Sequence, residues 1–378
     1  MVRNLLRLAV LGGAAIIMTL LLPFGVVGAY SHTQSQLAWA KVTVFATGLN
    51  NPRGLTFGPD GKLYVAEGGL GGTQTTTPAQ CMQVPVPVGP HSGGFTSRIS
   101  KISSNGKRTT VIDHLPSSQT SPALGSLVWG VADIQFVDGT LFGLEAGAGC
   151  SHGLLGTNNT IFRVNSNGTI SNVANLSAFI KAHPVKNPNP PDFEPDGTWY
   201  SMVAVRNSLY AVEPNHGELD KIRLKGDRDD FNDSKISRVA DISATFGHIV
   251  PTAVTFHEGN FYVGNLDTFP IMNDSQIMKI TPHGQISTIV TGLSAVLGVA
   301  FDHRGRLYIL ENTTGNPGPT PNTGAVLRLT SSGKLVTVAS GLNLPTAMTF
   351  GPDGDLYVST AGFGFPAGFG QIVRIELQ

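Results

Sequence analysis

Six segments of the chain place a polar side chain three positions after an aromatic one: Tyr64 and Glu67, Phe142 and Glu145, Tyr210 and Glu213, Tyr262 and Asn265, Tyr308 and Glu311, Tyr357 and Thr360. Four carboxylates brought to one axis either raise each other's pKa or are neutralised by a cation. Oxygen-only ligands suit a hard ion such as calcium better than zinc, so Glu67, Glu145, Glu213 and Glu311 are candidate metal ligands, with Asn265 beside them as a ligand-binding candidate. The alternative is that each Glu accepts hydrogen bonds from backbone N–H groups of the next loop in its own repeat.

Arg53 is the one strong cation in the approach to these segments, where the other repeats offer Ala132, Ser201, Thr252, Leu297 and Thr346. It is suited to a bidentate contact with a substrate carboxylate, or to a plain ion pair with Glu67, the simpler expectation. Asp133 stands where other repeats have Gly54, Ala253, Gly298 and Ala347, so it is either a site acid or a structural hydrogen-bond acceptor. His91, His152, His183, His216 and His248 lie in connecting segments without the spacing of a metal pair. Each reads as a solvent-exposed histidine, with His216 kept as a candidate substrate contact.

These positions are set by an internal repeat. GLNNPRGLTFGPDGKLYVAE (Gly48 to Glu67) is nearly duplicated by GLNLPTAMTFGPDGDLYVST (Gly341 to Thr360), and four looser copies lie between them, around Phe142, Tyr210, Tyr262 and Tyr308. Each copy is an apolar strand, a tight turn commonly centred on Gly, and a second strand bearing the aromatic ring. A second alternating hairpin follows most copies, as in QIMKITPHGQISTIVTGL (Gln276 to Leu293), and completes a four-stranded unit. Such units in series predict an all-β, six-bladed β-propeller.

The ends predict how the ring closes. The last unit stops after a third strand, Gln371 to Leu377, while Lys41 to Leu49 (KVTVFATGL) matches the fourth-strand segment Lys334 to Leu342 (KLVTVASGL). The N-terminal strand is therefore expected to complete the last blade and hide both edges. The long insertions, such as Gly68 to Thr96, Gly147 to Asn159 and Ser177 to Thr198, all fall on one face of the ring. That decorated face is the expected seat of function. Cys81 and Cys150 lie in loops of consecutive blades on it, and their nearness predicts a disulfide.

Ahead of the propeller, expected at 41–378, Arg3 and Arg7 precede an apolar run from Leu8 to Leu22, the layout of an export signal. Cleavage after Ala29 or Ala40 fits, and an uncleaved membrane anchor is the alternative. The protein is thus expected to be extracytoplasmic, secreted or periplasmic. Only 13% of residues are charged and the 25 basic and 25 acidic groups cancel, which argues against a nucleic-acid partner. There is no phosphate-cradling Gly loop and no His-Glu-x-x-His helix.

Three segments, GLNNPRGLTFGPDGKLYVAEGG, VPTAVTFHEGNFYVGNLDTFP (Val250 to Pro270) and LGVAFDHRGRLYILE (Leu297 to Glu311), together resemble the ScyD/ScyE family of exported NHL-like propellers, named from gene clusters for a sunscreen pigment. The resemblance covers Lys41 to Gln378 and implies a six-bladed extracytoplasmic ring, without catalytic residues to carry over. Around Glu213-Pro214-Asn215-His216-Gly217 the chain departs from that family's Asp-Ala-Gly-Gly-Asn core. The first segment is similar to the opening of quinone-dependent sugar dehydrogenases, with Arg53 in place of their Trp. The opening pattern of calcium-dependent lactonases is not found.

The expectation is a monomeric binding or accessory module that takes a small molecule, glycan or protein on the decorated face. The alternatives are a metal-dependent hydrolase or lactonase built on the Glu ring and a quinone-linked oxidoreductase.

Overall fold

The computed structural model describes residues 40–224 and 235–377. The export segment expected at 1–40, with its cleavage patterns, lies outside the described residues as far as Trp39. Among the described residues no helix is long and apolar enough to cross a membrane.

Strand β1 (Lys41–Leu49) is followed by blade one: β2 (Pro52–Phe57), β3 (Leu63–Glu67), β4 (Ser92–Ile102), β5 (Arg108–Gln119) and a short fifth strand, β6 (Val128–Trp129). Blade two is β7 (Val131–Val137), β8 (Thr140–Glu145), β9 (Thr160–Val164) and β10 (Ile170–Asn175). Helix α1 (Leu176–Ala182) leads on to blade three: β11 (Ser201–Ala204), β12 (Ser208–Glu213), β13 (Glu218–Arg223) and β14 (Lys235–Asp241). After the short α2 (Ser243–Phe246) comes blade four: β15 (Pro251–His257), β16 (Asn260–Asn265), β17 (Ser275–Ile280) and β18 (Ile286–Leu293). Blade five is β19 (Val296–Phe301), β20 (Leu307–Glu311), β21 (Gly324–Leu329) and β22 (Leu335–Leu342). Blade six contributes β23 (Ala347–Phe350), β24 (Leu356–Thr360) and β25 (Gly370–Glu376).

The last sheet runs β1-β25-β24-β23, so the N-terminal strand does complete blade six and the ring is a closed six-bladed propeller. Lys41 faces Glu376 and Val44 faces Val373 in this seam. Pairing the two ends of the chain leaves neither as an open edge, the hazard every unclosed sheet carries.

Local sequence explains the strands. The inner hairpins turn on glycines with positive φ, such as Gly61 (71°) and Gly354 (84°), which a side chain would strain. Blade three lacks the glycine, and Arg206 adopts the left-handed conformation there at φ 54°. The aromatic anchors join neighbouring blades. Tyr64 of blade one packs edge-on against Phe136 of blade two at 5.0 Å, and Tyr262, Tyr308 and Tyr357 meet Phe301, Phe350 and Phe57 of the next blade in the same way. Such pairs add about 0.5–1.5 kcal/mol each beyond their burial. Valines, leucines and isoleucines from both faces of each sheet fill the space between blades, which accounts for the low charge of the sequence.

The structure adds two features to the expected pattern. Strands β4 and β5 are longer than the generic hairpin, and β6 pairs against the end of β5, with Ser118 opposite Trp129. Helix α1 forms inside the insertion expected as irregular loop, capped by the Asn175 side chain accepting from the Ala178 N–H at 2.9 Å.

Candidate functional site

The inner strands β2, β7, β11, β15, β19 and β23 line an axial channel of about 140 Å³. That is space for a few waters, well short of the ~300–1,000 Å³ of a small-molecule pocket. Asp133 lies in this channel. Its two carboxylate oxygens each accept one backbone N–H, from Ile134 and from Met202 of blade three, both at 2.8 Å. Burial pushes its pKa up to about 7, against those two N–H donors. It acts as a tie between blades, the structural half of the sequence expectation.

The six positions that follow the aromatic anchors all fall on the last residue of a second strand, at the decorated end. They do not converge on a shared ion. Glu145 accepts from the N–H groups of Ala146 (3.1 Å) and Gly147 (2.8 Å), Glu213 from Thr198 (2.7 Å) and His216, and Glu311 from Ser294 (2.8 Å). The Asn265 amide bridges Gln276 N–H and the Ile249 carbonyl, and Thr360 Oγ1 donates to the Gln371 carbonyl. The partners lie partly in the following loop, as for Glu145, and partly in the connection arriving from the preceding blade, as for Thr198, Ile249 and Ser294, where the chain exposes backbone groups at the strand ends. Burial pushes Glu145 up to about 8 and Glu311 to about 7, with the backbone donors opposing.

Glu67 is the exception in having charged partners, and they are not the expected one. Glu67 faces Arg98 across the β3–β4 ladder, and Arg98 Nε and Nη2 donate to its two oxygens at 2.8 and 2.7 Å. Ser100 Oγ and the Asn50 N–H complete its shell. The ion pair between Arg53 and Glu67 is therefore not formed. The register of the strands, rather than nearness in sequence, decides which cation Glu67 meets.

Arg53 is left with no carboxylate partner among the described residues. Its guanidinium is buried at the decorated mouth of the channel, with Nη2 donating to the Val128 carbonyl at 2.5 Å. It lies 4.0 Å over the Phe363 ring and 5.4 Å from that of Tyr200. Burial lowers its pKa, and Tyr200 works in the opposite direction. Tyr200 in turn donates its hydroxyl to the Thr346 carbonyl at 2.9 Å, while burial pushes its own pKa up to about 12. The loop carrying Phe363 is pinned nearby by Asn51, whose amide accepts from the Phe365 N–H and donates to the carbonyls of Phe365 and Gly69.

Beside this mouth the insertions of blades one to three are knitted together. Cys81 and Cys150 form the expected disulfide. Two residues on, His152 is fully buried, with Nδ1 2.8 Å from the Ala148 carbonyl and Nε2 3.1 Å from a Glu194 oxygen. His91 stacks on His152 at 5.0 Å and on Trp129 at 5.6 Å, and its Nε2 is 3.8 Å from the other Glu194 oxygen. Among the described residues, His91, His152 and Glu194 are the one group of three or more His, Cys, Asp or Glu side chains whose ligand atoms lie within 4.8 Å of one another. The expectation of exposed histidines fails at His91, His152 and His216, all of them buried. His216 Nε2 lies 3.0 Å from the Glu194 carbonyl, so it buttresses the segment bearing Glu194.

Glu194 is the residue that sequence reasoning missed. It sits in Asp192-Phe193-Glu194-Pro195-Asp196, an acidic run inside a proline-rich insertion. The signal was the density of acids there, and no repeat register points to it.

No family model matches the chain, and no curated protein sequence matches it. Solved structures do. A Thermus thermophilus protein described as an oxidoreductase (glucose dehydrogenase) is 15% identical with a TM-score of 0.54, covering 89% of this chain and 99% of that one. The quinone-bound aldose sugar dehydrogenase of Streptomyces coelicolor is 12% identical with a TM-score of 0.50, covering 90% and 99%. Virginiamycin B lyase of Staphylococcus aureus is 17% identical with a TM-score of 0.49, covering 89% and 99%. Identities this low speak for the shared propeller architecture alone.

Proposed function

We propose that this chain is an extracytoplasmic binding propeller of the ScyD/ScyE type, whose decorated face takes a small anionic molecule through Arg53. The observation that carries this reading is the Arg53 guanidinium, buried among aromatic rings without a counter-charge. A buried cation is costly unless a partner neutralises it, and a ligand carboxylate is the partner the fork of a guanidinium fits best. Phe363 and Tyr200 supply flat apolar faces on either side of that contact. Asn51 holds the Phe363 loop and the blade-one insertion in one arrangement, which fixes the surroundings of Arg53.

The disulfide accords with an oxidising, extracytoplasmic setting. The enzymatic alternatives, a calcium-dependent lactonase or a quinone-linked sugar dehydrogenase, draw support from fold likeness alone. The four Glu residues expected to hold calcium are spread over separate blades, Glu67 engaged by Arg98 and the other three by backbone N–H groups.

The test is thermal unfolding in the presence of gluconate, glucuronate or citrate, with glucose as the neutral control. An acid that binds raises the melting temperature of the wild type by several degrees at saturation, and the Arg53→Gln variant loses that rise. If no acid shifts the wild type, or if Arg53→Gln responds as the wild type does, the reading is wrong.

A further inference from the structure

We propose that His91, His152 and Glu194 form a binding site for a divalent transition metal of the zinc class, which pins the insertions of blades one, two and three together. The site is separate from the Arg53 mouth, and neither depends on the other.

Three observations meet here. First, one donor atom from each of the three residues lies within 4.8 Å of the other two, close enough for a single ion to draw them together. Two donors on a tetrahedral zinc, with bonds of ~2.0–2.1 Å, stand about 3.3 Å apart. His152 Nε2 and His91 Nε2 lie 3.1 and 3.8 Å from the two oxygens of Glu194.

Second, His152 is oriented as metal-bound histidines are. Its Nδ1 faces the Ala148 carbonyl at 2.8 Å, which fixes the N–H on that side and aims the Nε2 lone pair at Glu194. A lone pair facing a carboxylate oxygen requires something positive between them, either an extra proton or a cation.

Third, both ring nitrogens of His91 lack a hydrogen-bond partner, although its side chain is wholly buried. An unpaired nitrogen in such a place is the kind of exception that a bound ion explains.

The donor chemistry narrows the ion. Two imidazoles and one carboxylate suit zinc, cobalt or nickel, whereas calcium asks for six to eight oxygens. Three protein ligands leave one position for water or a ligand atom. The ligands come from the end of the first insertion at His91, from the turn Cys150–His152 and from the segment between α1 and β11. The Cys81–Cys150 bond ends two residues from His152, so the ion and the disulfide act on the same loops.

The test uses untagged protein carrying its disulfide, dialysed against chelator and then given zinc. Wild type is expected to retain about one zinc per chain by elemental analysis and to melt at a higher temperature with zinc than with calcium. His91→Gln and Glu194→Gln are each expected to weaken zinc binding at least about tenfold, since each removes one of three ligands. Cobalt titration of the wild type requires no variant, and intense visible bands of a four-coordinate ion are expected. The proposal is overturned if dialysed wild type takes up no zinc at micromolar free concentrations. It is equally overturned if cobalt shows only weak six-coordinate absorption, or if folded His91→Gln and Glu194→Gln bind zinc as the wild type does.

Discussion

Glu67 on β3 is paired with Arg98 directly across the ladder on β4, and this pairing sets Arg53 free. With Glu67 satisfied twice over by Arg98, the guanidinium at the channel mouth keeps the Val128 carbonyl, the Phe363 ring, and the ring and hydroxyl of Tyr200 as its neighbours. Arg98→Ala is therefore expected to do more than destabilise blade one. It strips buried Glu67 of its two-pronged partner and leaves it only Arg108, 4.0 Å away, a loss of up to about 3–5 kcal/mol, readable as a drop in the urea midpoint. Arg98→Lys keeps the charge but not the fork and should recover part of that loss.

The disulfide closes a loop of 69 residues. Chain-entropy reasoning gives such a cross-link about 4 kcal/mol, and native cross-links commonly measure about 2–4. The double variant Cys81→Ser, Cys150→Ser should lose stability of that order. Limited proteolysis should cut it first between residues 68 and 91. An unchanged cleavage pattern would mean that the insertion is held by its hydrogen bonds alone.

Gly54 has no room for a side chain. A Cβ there would lie 2.0 Å from Asp133 Oδ1 and 2.7 Å from the Asp133 Cα. Gly54→Ala is expected to cost about 1–3 kcal/mol or more by forcing blades one and two apart. Adding Asp133→Ala should relieve only the side-chain part, because the backbone contact remains. Complete rescue by the double variant would contradict this packing.

Glu145 makes stability depend on pH. Its pKa, about 8 in the folded protein, lies above the ordinary 4.5, so between these values the folded state binds more protons than the unfolded one. Its contribution is complete below pH 4.5 and is lost as pH rises toward 8. Gln mimics the protonated acid while keeping an oxygen for Ala146 and Gly147. Glu145→Gln should therefore gain melting temperature on the wild type as pH rises from about 5 to about 8. His91 contributes with the opposite sign, since its lowered pKa makes its share of stability grow as pH rises, and the comparison between wild type and variant cancels it. Parallel pH profiles would count against a buried, proton-holding Glu145.

The architecture was legible in the chain because a propeller repeats. One hairpin seen at Tyr64 could be checked at Tyr357, and the match of Lys41–Leu49 to Lys334–Leu342 announced the closing strand now seen beside β25. The disulfide was legible for the same reason, since the repeat placed both cysteines on one face. The site was much less so. That Glu67 meets Arg98 instead of Arg53 depends on strand register, and Glu194 reaches His152 across 42 residues of non-repeating insertion. Burial of His91 follows from Trp129 on β6, a strand that the repeat does not contain. Where the sequence stops repeating, position no longer predicts company.

The claim at the centre of this account is that function resides at the decorated mouth around Arg53. Hydrogen exchange, measured with and without the acid that most raises the melting temperature, tests it most directly. The account predicts new protection in the loop 361–369, around residues 50–54 and 198–201, and at Val128, with the inner hairpin turns at Gly61, Gly139, Gly259, Gly305 and Gly354 unchanged. Protection confined to those turns on the opposite face, or to the outer strands alone, would contradict it.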